Sequence, residues 1–259
     1  MMHSPYTART QPVHRLRALR GAWRNEFFLA GAALLTLLAA PQPASAATFR
    51  APQGCNLEMT IQNRGCTVSQ IYRCSADPSG YQHVAIFGQD GMTHLSTIDA
   101  ETRWIESTDP ETGLVDRLVE AAEDHASFST LKATGRDDFD FWTESNTGEK
   151  LHHVGYDELT GETVTIDGIT LEKTRFQLTT TGSDGQVLIQ REGQQFISRA
   201  NGRFYGGIET YSDWTGASGE SNDSPVDFSF PGQPGYGETE PQYDCDMMVA
   251  QLLQERAMQ

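Results

Sequence analysis

Four groups of residues in this chain sit close enough together to do chemistry: four cysteines, the acids Asp137, Asp138 and Asp140, the adjacent His152 and His153, and Ser218 between glycines. The acids suggest calcium, but a helix-loop-helix calcium loop needs alternating ligands, a glycine and a glutamate at the twelfth position, and that pattern is missing. Asp138, Asp140 and Trp142 alternate with Phe139 and Phe141, as in a half-buried strand. Neighbouring residues of a strand point to opposite faces, so His152 and His153 are not expected to bind one metal. His83, His94 and His125 have no partner at ligand spacing. Gly216-Ala217-Ser218-Gly219 lacks the spacing and the strand-to-helix setting of a nucleophile elbow. No catalytic residue, metal or cofactor is therefore expected, and the chain reads as non-enzymatic.

The cysteines depend on compartment. Residues 1–46 read as a secretory signal: Arg15, Arg17, Arg20 and Arg24 form a basic region, Phe27–Ala40 an apolar run, and Ala44-Ser45-Ala46 a small-residue cleavage site. The apolar run is shorter than the roughly 20 residues of a permanent span, so no stable membrane anchor is expected after cleavage. Residues 47–259 are then one domain, periplasmic or secreted. Cys55, Cys66, Cys74 and Cys245 all lie in it, and an even count in an exported chain favours disulfides, with three possible connectivities. If Leu57–Asn63 and Thr67–Arg73 pair as a hairpin, Cys55 falls opposite Cys74, leaving Cys66 for Cys245. A zinc site on these cysteines is not favoured, because no Cys-x-x-Cys pair is present.

The mature part carries 14 basic and 34 acidic side chains. Such a surface repels phosphate backbones and anionic headgroups, which excludes nucleic acid as an expected partner.

The elements expected to position these residues are mostly strands. His83–Phe87, Met92–Ile98 and Thr102–Glu106 read as a short meander. Asp109–Ala122 reads as a helix, with Thr108 or Asp109 as its cap and Leu114, Val115, Leu118 and Val119 at helical spacing. Thr215–Asp223 reads as a polar loop, Val226–Phe230 as a last strand and Asp246–Met258 as a short helix.

The block Leu151–Trp214 organises the chain. Asp167-Gly168 is a two-residue hairpin signal, and Ser183-Asp184-Gly185 turns a second hairpin with long arms, Ile169–Thr180 and Gln186–Ser198. Ile169 and Leu171 are apolar at odd positions, Phe176 and Leu178 at even ones. Either the buried face changes sides or a bulge near Glu172–Arg175 shifts the phase; both bend the strand. Gly193 is a candidate for the same part on the partner strand. Phe204, Gly206, Ile208 and Trp214 read as one face of the next strand, and Gly206-Gly207 marks a bend or a close backbone approach.

The stretches Thr160–Gly168, Arg175-Phe176 and Ser224–Gly232 resemble uncharacterised exported β-rich bacterial proteins. The long curved strands more distantly resemble the half-barrel carriers of lipoproteins and lipids of the bacterial envelope. The strand patterns predict a mainly β fold: a curved antiparallel sheet or incomplete barrel with one or two short helices. The concave face of such a sheet is a natural pocket for a lipid or apolar small molecule. Phe176, Leu178, Phe204, Ile208 and Trp214 are the expected lining of its cavity. The alternative expectation is a protein-protein interaction or structural module whose partner is an envelope protein, with the same residues serving as core.

Overall fold

The computed structural model describes residues 48–246. Within them the chain is mainly β, as expected. In order come β1 Cys55–Asn63, β2 Thr67–Cys74, β3 Gln82–Gly88, β4 Gly91–Ile98, β5 Trp104–Thr108 and β6 Val115–Leu118. Then follow α1 Phe128–Thr134, β7 Arg136–Ser145, β8 Lys150–Ile166, β9 Ile169–Gly182, β10 Val187–Ser198, β11 Arg203–Asp213, β12 Ser218–Asn222 and β13 Pro225–Ser229. All strands join one antiparallel sheet in the order β12 down to β1, with β13 added beside β1. The sheet is not closed into a barrel.

The cysteine hairpin forms as expected: Cys55 lies opposite Cys74 in the β1–β2 register. The Cys55–Cys74 and Cys66–Cys245 disulfides are both present.

The region expected as the helix Asp109–Ala122 is instead a tight turn followed by β6. The Asp109 carboxylate accepts the N–H groups of Glu111 and Thr112, as a helix cap would. Gly113, however, takes φ 72° and the Asp109 N–H closes on the Leu114 carbonyl. The chain therefore doubles back and Thr108 pairs with Val115. The helix that does form is α1. Ser127 caps it, accepting the Thr130 N–H, and Gly135 ends it in the left-handed conformation. Within the expected loop Thr215–Asp223, residues Ser218–Asn222 form β12. The expected helix Asp246–Met258 lies outside the described residues except for Asp246.

Side-chain parity reveals how the sheet is folded over. Val84 stands opposite Ser96, Ser96 opposite Ser107, Ser107 opposite Asp116 and Asp116 opposite Ser145. The face bearing Ile71 and Val84 is thus the face bearing Phe141 on β7. Through Phe141, His153 and Thr180 it continues to Thr174 and Phe176 on β9. We call this the inner face. Leu171 and Phe196 point to the other side, yet they pack with Met59, Ile71, Val84 and Ile86 in the main core. The sheet therefore overlaps itself, the inner face of β1–β3 covering the outer face of the far ends of β8–β11. On the inner face of those same ends, Ile197, Leu159 and Phe204 receive Phe128 and Leu131 of α1.

The buried face of β9 does change sides, between Leu171 and Thr174. The expected bulge near Glu172–Arg175 is absent from β9. The irregularity lies across from it in β8, between Leu159 and Thr163. Gly193 does not bulge; its missing side chain lets the Ile208 carbonyl approach, since a Cβ there would meet that oxygen at 2.2 Å.

The two sheet edges are drawn together by the chain itself. After β12, the Asp223 N–H bonds to the Gly207 carbonyl, and Arg64 N–H to the Ser224 carbonyl, as the chain crosses to pair with β1. A Cβ on Gly206 would lie 2.7 Å from the Asp223 carbonyl oxygen, so the double glycine admits this crossing. On the outer face of β1 and β2, residues 236–245 are held by buried polar side chains. Gln62 donates to the Glu240 carbonyl at 3.1 Å, Gln70 donates to the Glu238 carbonyl at 2.5 Å, and Thr60 accepts the Gly237 N–H at 2.7 Å. An irregular segment packed on a sheet needs such partners for its backbone groups.

Candidate functional site

The five residues expected to line a cavity fall into different places. Phe176 is buried on the inner face and Leu178 is half-buried beside it. Phe204 lies edge-on to Phe128 of α1, ring centroids 5.6 Å apart. Ile208 and Trp214 are exposed, at 43% and 65%. Phe204 and Ile208 do not share a face as expected. Gln194 opposes Ile208 whereas Phe196 opposes Tyr205, so the Gly206-Gly207 bulge takes up one extra residue and reverses the phase. Tyr205, not Phe204, then joins Ile208 on the outer side.

The inner face of β7–β9 carries two acids that the hairpin register sets directly opposite each other, Asp137 and Asp157. Burial pushes the Asp137 carboxyl up to about 6, with Asp124, Asp138 and Glu101 adding to the rise. Burial first, and then the charge of Asp137, pushes Asp157 up to about 7. The Ser127 N–H donates to Asp137 at 2.7 Å, which favours its ionised form, so Asp157 is the member of the pair that holds the proton. Farther along the same face His153 is fully buried between Thr143 and Thr180, its nitrogens 3.0 and 3.1 Å from their hydroxyls. Burial lowers its pKa to about 4, so the imidazole is neutral. Trp104 meets both Phe141 and His153 edge-on, each at 5.5 Å. Trp104 itself stays 41% exposed, so its ring covers this part of the inner face only in part.

His152 points the other way, as its place in a strand requires. It stacks on Trp142 at 4.3 Å and contacts Asp140 at 2.5 Å. On the same outer side, a recess of about 160 Å³ between β2 and β5 is lined by Tyr72, His83, Leu95, Thr97 and Glu106, among others. His83 contacts Asp77 at 2.5 Å through Nε2 and the Thr97 hydroxyl at 2.9 Å through Nδ1, and Tyr72 stacks on its ring at 4.9 Å. Sequence inspection missed this group because β2, β3 and β4 bring it together across the sheet. The Asp137–Asp157 pair was within reach, by counting outward from the Ser145–Gly148 turn.

The remaining feature is the sheet edge at β12. Asp213 N–H bonds to the Ala217 carbonyl and Asp223 N–H to the Gly207 carbonyl. Alternation of antiparallel bonds then turns the N–H and C=O groups of Ser218 and Glu220 away from β11. Both residues are exposed, and no described strand pairs with that side. Tyr211, on the neighbouring strand, and Trp214, held beside Leu188 by its backbone N–H, are exposed nearby. Among the described residues no helix is long and apolar enough to cross a membrane. No family model, curated protein or solved structure matches the chain.

Proposed function

We propose that this is an exported, non-enzymatic docking module of the cell envelope, and that β12 receives an extended segment of a partner protein. The observation that carries this reading is the edge at Ser218 and Glu220, which no strand among the described residues pairs, bordered by exposed Tyr211 and Trp214. An added strand takes its affinity from main-chain hydrogen bonds and its specificity from side chains beside the edge. The acidic surface favours a basic segment. Export is supported by the basic-apolar-small pattern of residues 1–46 and by the two disulfides.

A carrier of acyl chains draws less support. Ligand pockets for molecules of that size enclose about 300 Å³ or more. Here the inner face of β1–β3 is occupied by the overlapped sheet and that of the far ends of β8–β11 by α1, and the recess of about 160 Å³ lies on the outer side, lined mainly by polar groups. The test pairs two measurements. Glu220→Pro removes one outward N–H while leaving the β11 bonds, and it should abolish retention of an envelope partner that the unaltered protein holds. Native mass spectrometry of the gently purified protein should give the mass of the polypeptide alone. A co-purified lipid of fixed mass, or partner retention unaffected by Glu220→Pro, would overturn the reading.

A further inference from the structure

Cys74, Asp77 and His83 bring a sulfur, a carboxylate oxygen and an imidazole nitrogen within 4.8 Å of one another. We propose that these three side chains form a zinc-type metal site which the Cys55–Cys74 disulfide holds shut and which reduction opens.

The donor set is the first argument. Thiolate, imidazole and carboxylate are the three ligand types of tetrahedral zinc, and three protein ligands leave a fourth position for water. The sulfur is the missing component. A disulfide sulfur lacks the negative charge that makes a cysteine a ligand, so Asp77 and His83 alone face the position while the bond is intact.

The support around the donors is the second argument. The Thr97 hydroxyl on Nδ1 and the stacked Tyr72 ring fix the imidazole with Nε2 toward Asp77, the outer-shell arrangement that orients a metal-bound histidine. The turn after β2 ties the Asp77 N–H to the Cys74 carbonyl at 3.2 Å, so the two donors move together. The adjoining recess, lined also by Glu106, gives solvent access for the fourth ligand.

Access distinguishes the two disulfides. Both sulfurs of Cys55–Cys74 belong to half-buried residues, whereas in Cys66–Cys245 only Cys245 is half-buried and Cys66 is 2% exposed. A dithiol reductant can thus attack either sulfur of Cys55–Cys74 but only the Cys245 side of the other bond. It passes two electrons and two protons to the Cys55–Cys74 bond and becomes a disulfide itself. Cys74 then releases its proton on binding the ion, and thiolate, carboxylate and neutral imidazole balance the charge of Zn²⁺. Reoxidation by a disulfide donor returns Cys74 to Cys55 and expels the metal.

Two variants that lose the same disulfide test this. Cys55→Ser keeps the Cys74 ligand and Cys74→Ser removes it, while Cys66–Cys245 stays closed in both. Cys55→Ser should bind one equivalent of zinc in a calorimetric titration at pH 7 and give a thiolate-to-metal absorption band with Co²⁺. Cys74→Ser should give neither, and adding His83→Gln to Cys55→Ser should weaken binding by about 10-fold or more. The unaltered protein, which needs no substitution, should take up one equivalent after phosphine reduction and none at this site before it. Equal binding by the two cysteine variants, or none by Cys55→Ser and by the reduced protein, would overturn the proposal.

Discussion

At the scale of single residues, the sharpest electrostatic feature is the Asp137–Asp157 pair. Both carboxyls are raised in the folded chain, to about 6 and about 7. A raised folded-state pKa contributes stability that is fully present below the unfolded value and is lost as pH rises through the folded one. From the ordinary value of 3.8 up to about pH 7 the pair therefore withdraws stability. His153, lowered to about 4, acts with the opposite sign and withdraws stability as pH falls from about 6.5 toward 4. Asp157→Asn keeps the shape and removes the charge. It should raise the midpoint of thermal unfolding at pH 8 by about 2–4 °C or more, the shift made by about 1 kcal/mol in a domain of this size, and leave it unchanged at about pH 3, below the unfolded value. An equal change at both pH values in a melting experiment would show that the carboxyl is not titrating where its surroundings place it.

At the scale of elements, the bulge at Gly206-Gly207 decides which side chains of β11 face inward. A Cβ on Gly207 would lie 1.9 Å from the Gln194 carbonyl oxygen, with no flexible side chain to yield. Gly207→Ala should cost about 2 kcal/mol or more in a denaturant titration, as an overpacked backbone contact does. Gly216→Ala meets nothing within 4 Å and is strained only by its φ of 85°, so it should cost about 1 kcal/mol. Reversal of that order would remove close approach as the reason for the double glycine.

This element scale is also where the sequence was most and least readable. Asp167-Gly168 and the Cys55/Cys74 spacing specify local hairpins, and both formed in the expected register. The switch from Leu171 to Phe176 disclosed that β9 is buried on alternate sides. Asp109-Pro110-Glu111 looked like a helix start because an aspartate accepts the same two N–H groups in a turn as in a cap; only Gly113 at positive φ separates them. α1 escaped because seven residues carry too few repeats to display a period, although Ser127 and Gly135 marked its ends. β12, Ser-Gly-Glu-Ser-Asn, has no apolar alternation because its place at the edge demands none. Strict alternation puts Phe204 and Ile208 on one face, because Gly206-Gly207 marks a bulge without stating its size.

At the scale of the whole molecule, the sheet overlaps itself. The inner face of β1–β3 lies on the outer face of the far ends of β8–β11, and residues 236–245 cover the other side of β1–β2. No run of local sequence could specify this, since Ile71 and Leu171 meet only after the eight strands β2–β9 have paired in order. Such an arrangement covers much of the inner face and, among the described residues, leaves the edge at β12 without a neighbouring strand. Amide hydrogen exchange on the free protein tests it most directly. If the overlap is one cooperative core, the amides of Ile71 and Val84 should exchange as slowly as those of Leu171 and Ile197, all through global unfolding, while those of Ser218 and Glu220 exchange fast. Loss of protection in β1–β3 while β9 and β10 stay protected, or slow exchange at Ser218 and Glu220, would contradict the overlapped sheet with its open edge.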